Sequence, residues 1–173
     1  MSVKRILMFD NEEDKKILQS KSMPVIIIDD EIRELIQDMK DTLLSTQTGV
    51  GLSAVQVGSL KQICIIKYNK ELYTLINPII TRRRGEVIFN EGCLSVPGVF
   101  VDVPRSQKVW ITYMDENGET QQIDQGGLFS VIVQHELDHF EGACAVEESI
   151  IKKRGDNENE NISNRSNENG KND

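Results

Sequence analysis

Hydrophobic positions along the chain follow two periods. Ile32, Leu35, Ile36, Met39 and Leu43 recur at three- and four-residue steps, which predicts one apolar stripe on a helix over about 31–46. Asp29, Asp30 and Glu31 stand at its start, where negative charge suits the helix dipole. Strand-length runs follow: QICIIK at 62–67, LYTLIN at 72–77, VIF at 87–89 and VFVDV at 99–103. KVWITYMD, then Asn117-Gly118, then ETQQID reads as a hairpin, because both residues of an Asn-Gly turn tolerate positive φ. A second helix is expected from about Leu128 to Glu141, and its LFSVIV run is apolar on nearly all sides, as a central buried helix should be. Short strands between two helices predict an α+β fold, with antiparallel sheets packed around the second helix and the first lying N-terminal to them.

Composition sets the outer bounds. The chain has 173 residues, enough for one ordinary core and too few for two independent domains. The expected boundary follows Arg154: residues 1–154 carry the apolar pattern, whereas 155–173 are rich in Asn, Asp, Glu and Ser and read as a disordered tail. A net charge of −8 argues against a binder that works by neutralising nucleic-acid phosphates. Three cysteines, Cys64, Cys93 and Cys144, are too few and odd in number for a secreted disulfide scaffold. No apolar stretch approaches the roughly 20 residues that span a bilayer. The expectation is a cytoplasmic protein in a reducing compartment.

The chemistry concentrates in the second helix. Both histidines of the chain lie in QHELDHFEG, at His135 and His139, with Glu136 between them. At roughly 100° per residue the two imidazoles end about 40° apart on one face, with Glu136 about 60° from His139. Two imidazoles can then hold one metal ion while a carboxylate reaches water beside it, the logic of the HExxH pattern. Leu128, Val131 and Ile132 precede His135 on the same face, as pocket wall, core or both.

A third ligand is needed. The HExxHxxGxxH pattern fails because position 145 is Ala. A carboxylate from Glu147, Glu148, Glu158 or Glu160 would make a thermolysin-like endopeptidase site. Cys93, in NEGCLSVPG, is the other choice, since a thiolate suits a borderline-soft divalent ion. Cys64 and Cys144 read as small buried hydrophobes.

Three segments, in order, resemble the peptide deformylase (polypeptide deformylase) family: Gly49-Val50-Gly51-Leu52-Ser53-Ala54-Val55-Gln56, Glu91-Gly92-Cys93-Leu94-Ser95, and His135-Glu136-Leu137-Asp138-His139 with Gly142 after it. The resemblance covers about residues 3–146. It implies hydrolysis of the formyl group of N-formylmethionyl peptides by metal-activated water, with Cys93, His135 and His139 as metal ligands and Glu136 as general base. It implies that the Gln56 side chain and the Leu94 backbone N–H bind the developing oxyanion. Gly51 would line the site, and Val50, Leu128, Val131 and Ile132 would form the methionine pocket. Glu91 and Arg105 would be an ion pair supporting the metal loop. The family implies one divalent ion, Fe(II) first, with zinc, nickel or cobalt also accepted by these ligands. Ser53 stands where the family usually has Ala, a small-for-small exchange expected to have little effect. The long C-terminal helix used for ribosome docking has no counterpart in the tail. That implies a compact, phage-like form, bacterial or phage-encoded, monomeric, with no DNA or membrane partner and with ribosome contact left open.

Overall fold

In a computed structural model, which describes residues 2–152, the predicted apolar stripe becomes helix α2, Asp30–Ser45. Asp29 caps it, its Oδ1 accepting from the Ile32 N–H at 3.0 Å, which satisfies a backbone donor that no turn of helix can reach. A shorter helix precedes it: α1, Glu12–Leu18, capped by Asn11, whose side chain accepts from the N–H groups of Glu13 and Asp14. At seven residues α1 is too short to show a stripe, so the hydrophobic pattern misses it.

Seven strands form two antiparallel sheets. The larger runs β1-β2-β3-β6-β7, from β1 (Gly51–Ser53), β2 (Ile63–Tyr68), β3 (Glu71–Arg84), β6 (Lys108–Met114) and β7 (Thr120–Gly126). The smaller is the hairpin of β4 (Val87–Cys93) and β5 (Val96–Arg105). The run at 62–67 matches β2 to within one residue, and those at 72–77, 87–89 and 99–103 fall inside the longer β3, β4 and β5. Polar ends such as Arg82–Arg84 extend β3 by pairing with Lys108–Trp110 of β6.

The second predicted helix is α3, Gly127–Phe140, and it lies against one face of the large sheet. Alternation along β2 shows how the sheet is covered. Ile63 and Ile65 join Ile36, Met39 and Leu43 of α2 in one core cluster. Cys64 and Ile66 join Phe129, Ile132 and Val133 of α3 in another. Both faces of β2 are therefore apolar, and all four residues are completely buried. A third cluster ties the N-terminal segment to the hairpin and to the chain beyond α3, through Leu7, Phe9, Cys93, Val101 and Cys144 among others. Residues 145–152 are also helical, where the sequence reading placed no element.

The β6–β7 turn is longer than predicted. Met114 pairs with Thr120, leaving five residues in the loop. Asp115 organises it: its Oδ1 accepts from the N–H groups of Asn117 (2.9 Å) and Glu119 (3.0 Å). Of the Asn-Gly pair only Gly118 takes positive φ. No helix among the described residues is long and apolar enough to cross a membrane. The expected tail, 155–173, lies outside the described residues.

Candidate active site

Three segments meet at the site: β1 with the 3-10 turn that follows it (Ala54–Val57), the tip of the β4–β5 hairpin, and the second half of α3. The N-terminal segment braces two of them. Leu7 N–H donates to the Gln56 carbonyl at 2.8 Å and Phe9 N–H to the Ser95 carbonyl at 3.0 Å.

Helical spacing on α3 brings His135 and His139 edge to face, with ring centroids 5.1 Å apart. Cys93, the last residue of β4, places Sγ 3.4 Å from His139 Nε2. Cys144 completes a buried group in which one donor atom each of Cys93, His139 and Cys144 lies within 4.8 Å of the others. The sequence reading of Cys144 as a small buried hydrophobe accounts for its burial and misses this proximity. Its place five residues after His139, beyond the bend at Gly142, is the signal that was available. His135 stands outside that tightest group.

His135 is instead held from behind. Its Nδ1 lies 2.9 Å from Glu91 Oε2, which leaves Nε2 as the free nitrogen. Arg105 grips the same carboxylate, Nε to Oε1 at 2.6 Å and Nη2 to Oε2 at 2.9 Å, and reaches Asp138 Oδ2 at 2.7 Å. The expected Glu91–Arg105 pair is present, with Asp138 as a third member that sequence reading did not include. Burial works to raise the Glu91 pKa, but Arg105 and His135 hold it below its ordinary value. For His135 burial works downward, and the neighbouring carboxylates of Glu91 and Glu136 carry it up to about 9. His139 has no such partner; burial, with the positive charges of His135 and Arg105, pushes it well down.

Glu136, itself buried, has its pKa raised by that burial. The Ser53 hydroxyl lies 2.7 Å from its Oε2. Its Oε1 faces Gly51 so closely that a Cβ there would stand 2.2 Å away. Gln56 accepts the Ser53 N–H at Oε1 (2.9 Å), which turns its amide nitrogen toward Ser95 Oγ (3.1 Å) and Cys93 Sγ (3.7 Å). Leu94 and Ser95 form the turn between β4 and β5.

A cavity of about 390 Å³ opens over these groups. Gln56, Cys93, His135 and Glu136 face it, and Val50, Gly51, Leu128, Val131 and Ile132, the five residues expected around the substrate, all line it, as does Leu94. Val50 and Leu128 are part-exposed at the rim. His139 and Arg105 do not line this cavity. Phe89, Val99 and Phe100 of the hairpin add an apolar wall that sequence reading missed, because outward-facing residues of a two-stranded sheet leave no burial pattern.

The donor set fits a divalent metal. The Cys93 thiol and the His139 imidazole meet in a buried place with the His135 ring beside that of His139, and His139 Nδ1 has no hydrogen-bond partner there. Sulfur and nitrogen donors of this kind suit borderline ions. Of the carboxylate alternatives, Glu147 is paired with Lys15 at 3.0 Å and Glu148 is exposed, while Glu158 and Glu160 lie outside the described residues.

Known proteins carry the same plan. The family model described as polypeptide deformylase matches residues 3–155. Peptide deformylase 2 of Clostridium acetobutylicum is 38% identical over 142 residues, spanning 82% of this chain and 92% of that protein. The peptide deformylase of Caldanaerobacter subterraneus subsp. tengcongensis is 41% identical, over 78% of this chain and 84% of its own. Among solved structures, a Legionella pneumophila peptide deformylase superposes with a TM-score of 0.79 at 31% identity, covering 95% of this chain and 99% of that one. One from Synechococcus elongatus, in complex with actinonin, gives 0.74 at 38% identity, over 80% and 74% of the two chains. With the family model spanning nearly all of the described residues and these relatives matching along most of their length, the chain belongs to the polypeptide deformylase family.

Proposed function

We propose that this deformylase hydrolyses the formyl amide of N-formylmethionyl peptides, releasing formate, with Cys93, His135 and His139 holding one divalent ion. The observation that carries the reading is that Cys93, His135, Glu136 and Gln56 face one apolar cavity, with His139 behind it at 3.4 Å from the Cys93 sulfur. An ion held there supplies positive charge that acidifies water and polarises the formyl oxygen. Fe(II) is the first choice of ion, with zinc, nickel and cobalt also suited to the donors.

The chain's own groups do the rest. Glu136 takes the proton of the attacking water and returns it to the leaving amine; a buried carboxylate with a raised pKa is suited to both transfers. The Gln56 amide nitrogen and the Leu94 N–H meet negative charge as it develops on the formyl oxygen. Glu91, fixed by Arg105, holds His135 in the ring orientation that leaves Nε2 free. The methionine side chain fills the space between Val50, Leu128, Val131 and Ile132. Gly51, without a side chain, keeps the passage to Glu136 narrow and open, so that a formyl group fits and a bulkier acyl group does not.

The test is formate release from formyl-Met-Ala-Ser by protein purified anaerobically and loaded with Fe(II) or Ni(II). Release in proportion to metal content, with acetyl-Met-Ala-Ser left intact, is the expected result. A folded, fully loaded sample that releases no formate overturns the proposal.

A further inference from the structure

Cys144 stands beside the candidate metal ligands with no part in the proposed reaction. Its Sγ lies within 4.8 Å of Cys93 Sγ and of a ring nitrogen of His139, and all three residues are buried. The two thiols face different surroundings. Cys93 lines the cavity, whereas Cys144 does not and is packed away from it, in the cluster that holds Leu7, Leu18 and Val146. Cys64, the remaining thiol, belongs to a different core cluster, between α3 and the large sheet.

We infer that Cys93 and Cys144 are a peroxide-sensitive pair: in the metal-free protein Cys93 is oxidised first, and Cys144 resolves it into a reversible disulfide. The cavity delivers hydrogen peroxide, a molecule little larger than water, to the Cys93 sulfur. The Cys93 thiolate attacks one peroxide oxygen, the O–O bond breaks, hydroxide leaves and a sulfenic acid remains. The Cys144 thiolate then attacks the Cys93 sulfur, the S–O bond breaks, and a second hydroxide leaves as the S–S bond forms. With the two thiol protons, one peroxide and two thiols become one disulfide and two waters.

The backbone at both positions is suited to the closure, which brings the sulfurs from at most 4.8 Å to bonding distance. Cys93 ends β4, where the pairing with β5 shifts register after Gly92. Cys144 lies in the short connection between α3 and the helical residues 145–152. Neither sits in the middle of a regular element. A sulfenic acid that meets no thiol goes on to sulfinic and sulfonic acid, which a dithiol does not reverse. Cys144 diverts Cys93 from that end, so the ligand survives loss of its ion under oxidising conditions.

The experiment uses the full chain, stripped of metal by a chelator, beside its Cys144→Ala and Cys64→Ala variants. Each is treated with excess hydrogen peroxide and then with dithiothreitol. Intact mass and free thiols in denaturant are read after the first step, and Ni(II) uptake after the second. The parent is expected to lose two of its three thiols and about 2 Da, with peptide masses linking Cys93 to Cys144. Its Ni(II) uptake is expected to return to within about twofold of untreated protein. Cys64→Ala is expected to form the same link. Cys144→Ala is expected to gain about 32 or 48 Da at Cys93 and to lose Ni(II) uptake by about tenfold or more, dithiothreitol notwithstanding. Parent protein loaded with Ni(II) beforehand is expected to keep its thiols about tenfold longer, because a ligated sulfur is withheld from peroxide. A parent that gains oxygen as Cys144→Ala does, a link to Cys64, full recovery of Cys144→Ala, or equal thiol loss with Ni(II) bound overturns the inference. Should Cys144→Ala not fold, Cys144→Ser is read by the same criteria. No formyl peptide enters this experiment, so its failure leaves the deformylase reading standing, and failure of formate release leaves the disulfide to be judged on its own masses.

Discussion

Arg105 and Glu91 face each other across the β4–β5 hairpin as a two-point pair, at 2.6 and 2.9 Å, with both side chains more than nine-tenths buried. Removing Arg105 takes away both of its bonds to the buried Glu91 carboxylate and leaves only His135 beside it. Arg105→Met is therefore expected to lower stability by about 3–5 kcal/mol. It also frees Glu91 from its orientation on His135, so metal affinity is expected to fall by about 10- to 100-fold. Denaturant unfolding and competition with a chelator measure the two effects separately. Unchanged metal affinity in a folded Arg105→Met protein contradicts the orienting role given to Glu91.

Gly51 is governed by proximity. An added Cβ would meet Glu136 Oε1 at 2.2 Å and Ile132 Cγ2 at 2.9 Å. The strand is paired with β2 and cannot move aside cheaply, so Glu136 must. Gly51→Ala is expected to reduce formate release by about 100-fold or more, while metal content and fold persist. Circular dichroism, metal analysis and the formate assay together check it.

Gly142 is governed by conformation. It has φ of +73°, and a Cβ there would lie 2.3 Å from the Gln19 carbonyl oxygen. This residue ends α3 and lets the chain double back past α1 toward Cys144. Gly142→Ala combines left-handed strain, about 1–3 kcal/mol, with a backbone clash. A fall in unfolding free energy of at least that size is expected in denaturant titration, and a smaller one shows that the bend adapts.

Asp14 supplies a pH signature remote from the site. Arg5 bonds both its oxygens, at 2.6 and 2.7 Å, and the Met8 N–H adds a third bond at 2.9 Å. These hold the Asp14 pKa below its ordinary 3.8. A depressed carboxylate stabilises the fold above its unfolded pKa, and that contribution disappears as pH falls through the folded value. Asp14→Asn is thus expected to be less stable than the parent at pH 7. The difference should narrow once pH drops below about 3.8. A gap that is constant with pH contradicts the ionic origin.

Much of this was legible in the sequence, for identifiable reasons. Helix α2 announced itself because one side is dry and the other wet, and α3 because it is apolar nearly all round. His135, Glu136 and His139 are local neighbours on a helix, so their convergence follows from spacing alone. Cys93 and Gln56 lie 42 and 79 positions before His135 in chain order, and only the family resemblance placed them at the site. The contacts of Ser53 with Glu136 and of Asp138 with Arg105 were not legible for a related reason. A serine or an aspartate has no pattern of its own, and its role depends on which buried partner the fold delivers to it. Cys144 fits the small-hydrophobe reading by burial, and only three-dimensional packing sets its sulfur beside Cys93 and His139. Helix α1 carried a readable cap in Asn11 followed by three acidic residues, but too few residues for periodicity to confirm it.

In the proposed reaction the labour is divided: Cys93, His135 and His139 hold the ion, and Glu136 moves the proton. Metal content and formate release from formyl-Met-Ala-Ser, measured on the same samples of parent, Cys93→Ala and Glu136→Ala protein, test it most directly. Cys93→Ala is expected to lose metal and activity together. Glu136→Ala is expected to keep its metal and lose activity by about 100-fold or more. A fully metallated Glu136→Ala protein with the activity of the parent would contradict it.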